Sequence, residues 1–134
     1  MNNIAIASDH GGYDLKMEII EYLKEKGYSY KDFGCKSAQS VHYPDYADKV
    51  SRAVADKDFE CGILICGTGI GMSIAANKVQ GIRASLCHDT FSARMTREHN
   101  NSNILTLGGR VIAAGLARDI VQTWLKSYHD IKML

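Results

Sequence analysis

The sequence predicts an α/β protein, a three-layer α/β/α sandwich on a five-stranded, doubly wound parallel sheet. Three observations carry this expectation. Five short apolar runs alternate along the chain with longer segments whose apolar residues recur at helical spacing. The intervening segments are long enough for crossovers between parallel strands, which a tight hairpin is not. No linker, internal repeat or low-complexity tract interrupts the 134 residues, and there is a single proline, so one domain over 1–134 is expected.

The elements follow in order. "NIAIAS" (3–8) reads as the first strand, and Leu15, Ile19, Ile20 and Leu23 mark the inward face of a helix that ends near Gly27. "YSYKDFG" (28–34) resembles a second strand. Pro44 then suits the first turn of a helix that carries Tyr46, Ala47, Val50, Ala53 and Val54 inward. "CGILIC" (61–66) is a nearly unbroken apolar run, as expected of a central strand covered on both faces, and "GIGMSIAANK" (69–78) predicts the helix behind it. "GIRASLC" (81–87) and "NILTL" (103–107) predict the last two strands, separated by a helix in "DTFSARMTREHN" (89–100). Leu116, Ile120, Val121, Trp124 and Leu125 form the buried stripe expected of a final helix.

Composition narrows the functions. Sixteen basic and fifteen acidic side chains leave a formal charge of +1, so no global field draws nucleic acid or an acidic membrane. The amino-terminal "MNNIAIASDHGG" lacks the basic-then-apolar pattern of a secretory signal, and no run approaches a membrane span, so a cytoplasmic protein without membrane partners is expected. Cys35, Cys61, Cys66 and Cys87 are separated by 26, 5 and 21 positions, without the paired spacing of zinc or redox sites, and no metal is expected. Cys35, Cys61 and Cys87 read as reduced, inert residues at strand ends.

In doubly wound sheets ligands bind beyond the carboxyl ends of the strands. The loops there are "SDHGG", "GCKSAQSVHYPDY", "CGTGIGM", "CHDT" and "GGR". In the third, Gly67, Gly69 and Gly71 alternate with Thr68 and Ile70, so several backbone N–H groups can be aimed at one anion. The spacing is not that of a dinucleotide fingerprint, and no G-K-[ST] follows. A cysteine-dependent phosphatase loop would need arginine where Met72 stands, to hold the phosphoryl charge. A thiol at this helix start can instead serve as a base near neutral pH, with adjacent amides holding the oxyanion left when carbon loses a proton. The other reading of Cys66 is a small buried residue beside a tight turn.

Neighbouring loops offer partners with similar alternatives. Asp9 and His10 at the first strand tip suggest a polar pocket, or Asp9 caps the next helix. His99 and Asn100 lie at a helix end, where an imidazole can simply meet the helix carboxyl terminus. Arg110 follows two glycines, so its guanidinium can grip a phosphate. Tyr43 and Asp45 mark a helix start, with Tyr43 within reach of the crevice.

Together "SDHGG", "YPDYA", "CGTGIGMSIAANK", "IRASLCHDTFSAR" and "REHNNSNILTLGGRV" resemble the type B ribose-5-phosphate isomerase family, which includes galactose-6-phosphate isomerase subunits, over nearly the whole chain. The resemblance implies aldose–ketose isomerisation of a sugar phosphate through a cis-enediolate, without a cofactor. By the resemblance, Cys66 is the base between C1 and C2, and Thr68 helps move the hydroxyl proton. Gly67, Gly69, Ile70 and Gly71 with Asn100 form the anion hole, and His99, helped by Asp9, opens the furanose ring. His10 and Arg110 contact the phosphate, and Tyr43 lines the pocket. A homodimer, or a dimer of dimers, with active sites shared between subunits is implied. One departure stands out: the family's basic tail, G-G-R-H-x-x-R, has no counterpart in "WLKSYHDIKML", where Lys126, His129 and Lys132 are the basic candidates. Ribose 5-phosphate and ribulose 5-phosphate are the expected pair. A six-carbon sugar phosphate such as allose or galactose 6-phosphate, a non-phosphorylated sugar, and a non-catalytic, Rossmann-like small-ligand module are the alternatives.

Overall fold

Strand β1 (Asn3–Ser8) is buried from Ile4 onward, and β3 (Cys61–Cys66) is buried throughout, which is why both read as near-continuous apolar runs. A computed structural model describes residues 3–36 and 42–129. Five parallel strands form one sheet in the order β2-β1-β3-β5-β4, with β2 at Ser29–Asp32, β4 at Ala84–Leu86 and β5 at Ile104–Gly108. The two edge strands are shorter than the sequence pattern suggests. Their residues are half-exposed or exposed, and each pairs with one neighbour, β2 with β1 and β4 with β5.

Side chains alternate between the two faces of the sheet. Ile4, Ile6, Ile63, Ile65, Leu105 and Leu107 pack under α1 (Tyr13–Glu25) and α5 (Ala114–Lys126), with Ala93 of α4 (Thr90–Glu98) beside them. Ala5, Ala7, Leu64, Cys66 and Ile104 face α2 (Tyr43–Ala55) and α3 (Ile70–Ala76). Pro44 stands in the first turn of α2, as its fixed φ and missing N–H allow. Met72 is fully buried in this second core, so the place a phosphatase arginine would take faces protein rather than solvent.

Two inward assignments differ from the helical spacing. Leu116, in the first turn of α5, is exposed at 41 %, and Ala117 takes the inward place. Lys16 lies on the buried side of α1 with no solvent exposure. Its Nζ donates to both Asp32 carboxylate oxygens, at 2.9 and 3.0 Å, and to the Cys35 carbonyl. Such a charge tolerates burial only when paired. Ala53 and Tyr46 are half-buried.

Strand order reverses between β1 and β3: β2 lies to one side of β1, and β3, β5 and β4 to the other. A crevice for a ligand is expected above this point, where Asp9 and Gly67 leave their strands.

Candidate active site

Three loops meet at the switch point, and backbone hydrogen bonds lock them together. Asp9 N–H donates to the Ile65 carbonyl at 3.1 Å, Gly109 N–H to Cys66 at 2.8 Å, and Arg110 N–H to Gly67 at 3.0 Å. Glycines permit this closeness. A Cβ on Gly109 would stand 2.7 Å from the Gly11 carbonyl oxygen, and one on Gly12 would overlap the Ile65 carbonyl.

Cys66 ends β3, 5 % exposed, and its Sγ accepts the Gly69 N–H at 3.1 Å. Gly69 reaches that position with φ +81, a left-handed conformation that disfavours any side chain, and a Cβ there would stand 2.5 Å from Leu86 Cδ1. Thr68 is exposed, and its Oγ1 accepts the Ile70 N–H at 3.2 Å. Two amides of the predicted anion hole are therefore already engaged by the loop's own side chains. Helix α3 has seven residues rather than the ten its sequence pattern spans, so the hydrogen bond from Gly69, not a long helix dipole, is what acts on the sulfur.

Around this loop, Asp9 is 8 % exposed and its Oδ1 accepts the Gly12 N–H at 3.1 Å, so it caps the short 3-10 turn His10–Gly12. Nδ1 of His10 is buried with no hydrogen-bond partner among the described residues, a state that costs free energy unless a ligand or water meets it. Arg110 is exposed and has no ion pair among the described residues. Its guanidinium lies against Gly67, and a Cβ on Gly11 would approach its Cζ at 3.4 Å. Tyr43 starts α2 and lays its ring on Gly71, where a Cβ would stand 2.9 Å from Cε1 and Cζ. Tyr43 also opens onto a groove of about 620 Å³ between α2 and α3.

His99 and Asn100 are elsewhere. Helix α4 starts beyond the carboxyl end of β4 and runs back, so His99, at its C-cap, lies at the amino-terminal end of β5. Cys66 stands at the other end of that strand, opposite Gly108, a rise of roughly 13 Å along β5 alone. One chain thus assembles Cys66, Thr68, the glycine loop, Asp9, His10, Tyr43 and Arg110, and leaves His99 and Asn100 at the far edge. The far edge is rigidly built. Trp124 Nε1 donates to Ser102 Oγ at 3.0 Å, and the Arg97 guanidinium lies over the Trp124 ring and donates to the Ser102 and Ser127 carbonyls. Lys126 ends α5 next to Ser127, His129 is half-buried three residues further on, and Lys132 lies outside the described residues.

The remaining cysteines are buried, and burial pushes the thiols of Cys61 and Cys87 up, to about 12 and about 11. That suits inert residues. Among the described residues no group of three or more His, Cys, Asp or Glu is placed to hold a metal ion, and no helix is long and apolar enough to cross a membrane. Sequence reasoning found the loop but not what crowds it. The packing of Gly12 on Ile65 and of Gly71 on Tyr43 joins residues far apart in the chain, and only the density of glycine in these loops hints at it.

Comparison with known proteins matches residues 4–132 to the family described as Ribose/Galactose Isomerase. A solved structure of ribose-5-phosphate isomerase B from Clostridium thermocellum is 55 % identical, superimposes with a TM-score of 0.94, and covers 96 % of this chain and 86 % of its own. Ribose-5-phosphate isomerase B of Escherichia coli is 46 % identical over 97 % of this chain and 87 % of its own. D-erythrulose-4-phosphate isomerase of Pectobacterium atrosepticum is also 46 % identical, over 93 % of this chain and 83 % of its own.

Proposed function

This chain belongs to the Ribose/Galactose Isomerase family, and from that premise we propose that it is a cytoplasmic, single-domain aldose–ketose isomerase that interconverts ribose 5-phosphate and ribulose 5-phosphate. The observation that carries the reading is the pairing, in one crevice, of a buried thiol that accepts an amide hydrogen bond with a guanidinium against Gly67 that has no ion pair among the described residues. A base and an anion grip at the switch point are what a phosphorylated sugar requires.

In the proposed reaction His99, supported by Asp9, opens the furanose by moving the ring-oxygen and hydroxyl protons. The Cys66 thiolate takes the proton from C2 and returns it to C1. Thr68 passes the hydroxyl proton between O1 and O2. The amides of Gly67 and Gly71, joined by those of Gly69 and Ile70 as they leave Cys66 Sγ and Thr68 Oγ1, hold the enediolate oxygen with Asn100. His10 and Arg110 hold the phosphate, and Tyr43 closes the side of the pocket. C2 of the aldose is oxidised as C1 is reduced, so the step balances without a consumed oxidant or reductant.

The distance between Cys66 and His99 along β5 supports a site completed by a second copy of the chain, as a homodimer or dimer of dimers. Ile70 and Ile74 on one face of α3, at 52 % and 57 % exposure, and Phe91 on α4, at 65 %, offer apolar surface for that contact.

The test is incubation with ribose 5-phosphate in deuterated water. Ketose formation with deuterium entering from solvent at the shuttled carbon position is expected. Absence of turnover on ribose, erythrulose, allose and galactose phosphates alike would remove the isomerase reading, and preference within the panel assigns the sugar.

A further inference from the structure

We infer that His88 is a positioning residue for the proton-transfer loop, acting through the backbone N–H of Gly108; this rests on the isomerase reading above. Strand β4 ends at Leu86, the register partner of Thr106, and Cys87 N–H donates to the Thr106 carbonyl at 3.3 Å. Thr106 therefore presents its backbone groups to the β4 side. Two residues on, Gly108 faces the same way, but β4 has already ended. The acceptor that meets its N–H is the imidazole of His88, with Gly108 N 3.2 Å from Nε2. An acceptor nitrogen carries no hydrogen, so the ring's hydrogen sits on Nδ1 in this arrangement.

Gly108 is the backing of the site. It is the register partner of Cys66, its neighbour Gly109 donates to the Cys66 carbonyl at 2.8 Å, and a Cβ on Gly108 would stand 2.7 Å from the Thr68 carbonyl oxygen. The hydrogen bond to His88 thus fixes the strand end on which both proposed proton-transfer residues rest. Without an acceptor, an N–H inside the fold is left unmet. The strand end then turns to find one, and Cys66 and Thr68 move with it.

Four proteins decide the matter: wild type, His88→Ala, His88→Gln, whose Oε1 reaches the place of Nε2, and His88→Asn, whose amide does not. In His88→Ala, kcat on ribose 5-phosphate is expected to fall on the order of tenfold or more, with KM within about twofold, as for a small displacement of reacting groups. Hydrogen exchange at the Gly108 amide should accelerate in the same variant. His88→Gln should keep both the rate and the protection, and His88→Asn should lose both. Wild-type kcat in His88→Ala overturns the inference. So does a His88→Gln protein as slow as His88→Ala with Gly108 still protected, because the ring itself would then take part. If His88→Ala does not fold, equal kcat in the Gln and Asn variants overturns it. Failure of the wild type to turn over any sugar phosphate counts instead against the isomerase reading, and Gly108 exchange in the variants still tests the hydrogen bond.

Discussion

The guanidinium of Arg110 lies against Gly67, Nη1 standing 3.5 Å from the position a Cβ on that glycine would occupy. The contact places a cation without an ion pair among the described residues one residue from the end of β3, where Cys66 begins the glycine loop. In the proposed reaction this is the cation that holds the phosphate, with the sugar carbons towards the thiol.

Arg110→Ala is therefore expected to raise KM for phosphorylated sugars by at least about tenfold, the loss of one charge-assisted contact, with a smaller change in kcat. Arg110→Lys should recover part of the loss, since an ammonium keeps the charge but not the planar fork. Steady-state kinetics with phosphorylated and unphosphorylated sugars measure both effects. An equal penalty on the two classes would take Arg110 away from the phosphate.

Cys66→Ala should lower kcat by about 10²–10⁴-fold, the usual contribution of a positioned base, while calorimetry still detects substrate binding. His99→Ala should also be slow. Because Cys66 and His99 occupy opposite ends of β5, mixing the two inactive proteins under subunit exchange should restore about a quarter of wild-type activity: half the dimers are mixed, and each has one intact site. Mixtures as inactive as their components would place both residues in one chain's site.

Glycine positions separate crowding from freedom. Gly12→Ala drives a Cβ into the Ile65 carbonyl and should cost about 1–3 kcal/mol, as overpacking does. Gly115→Ala in α5 meets nothing within 4 Å and should stabilise by about 0.4–1 kcal/mol through reduced unfolded-state entropy. Urea unfolding of the two variants should give opposite signs.

Asp32→Asn leaves Lys16 buried with its charge unmatched and should destabilise by about 3–5 kcal/mol. Lys16→Met removes the buried charge instead, leaving Asp32 35 % exposed and open to hydration, so its cost should be smaller. Thermal melts rank the pair, and the reverse order would mean that burial of Lys16 does not set the penalty.

Above pH 9.0, stability should fall with rising pH. Burial raises Cys61 to about 12 and Cys87 to about 11 from an ordinary 9.0, so the native state holds protons that the unfolded chain releases. That stabilisation is complete below pH 9.0 and is lost as pH climbs through the two raised values. Replacing both residues by Ala should flatten the alkaline arm of stability measured by chemical denaturation, and an unchanged slope would assign it to other groups.

Much of the molecule is legible along the chain because periodicity is a local property. The inward faces of α1 and α2, the buried run of β3 and the Cys66 loop all follow from spacing and residue type. Leu116 and Lys16 show the limit. Both lie where a neighbouring element decides burial, Leu116 because no described residue covers it in the first turn of α5 and Lys16 because Asp32 and the Cys35 carbonyl meet its charge. Asp9 shows it too: residue type alone leaves open a cap or a pocket acid, and the structure adds the hydrogen bond by which its Oδ1 caps the turn at Gly12.

By itself, then, the sequence determined the α/β alternation, the loops at the strand ends and the residue types that can carry proton transfer. Tertiary structure decided the order β2-β1-β3-β5-β4, the meeting of Gly11, Gly67 and Arg110, and the separation of Cys66 from His99. The reason is physical. Strand and helix formation depend on residues a few positions apart, whereas the approach of two backbones depends on the absence of a Cβ between segments that packing brings together from distant parts of the chain.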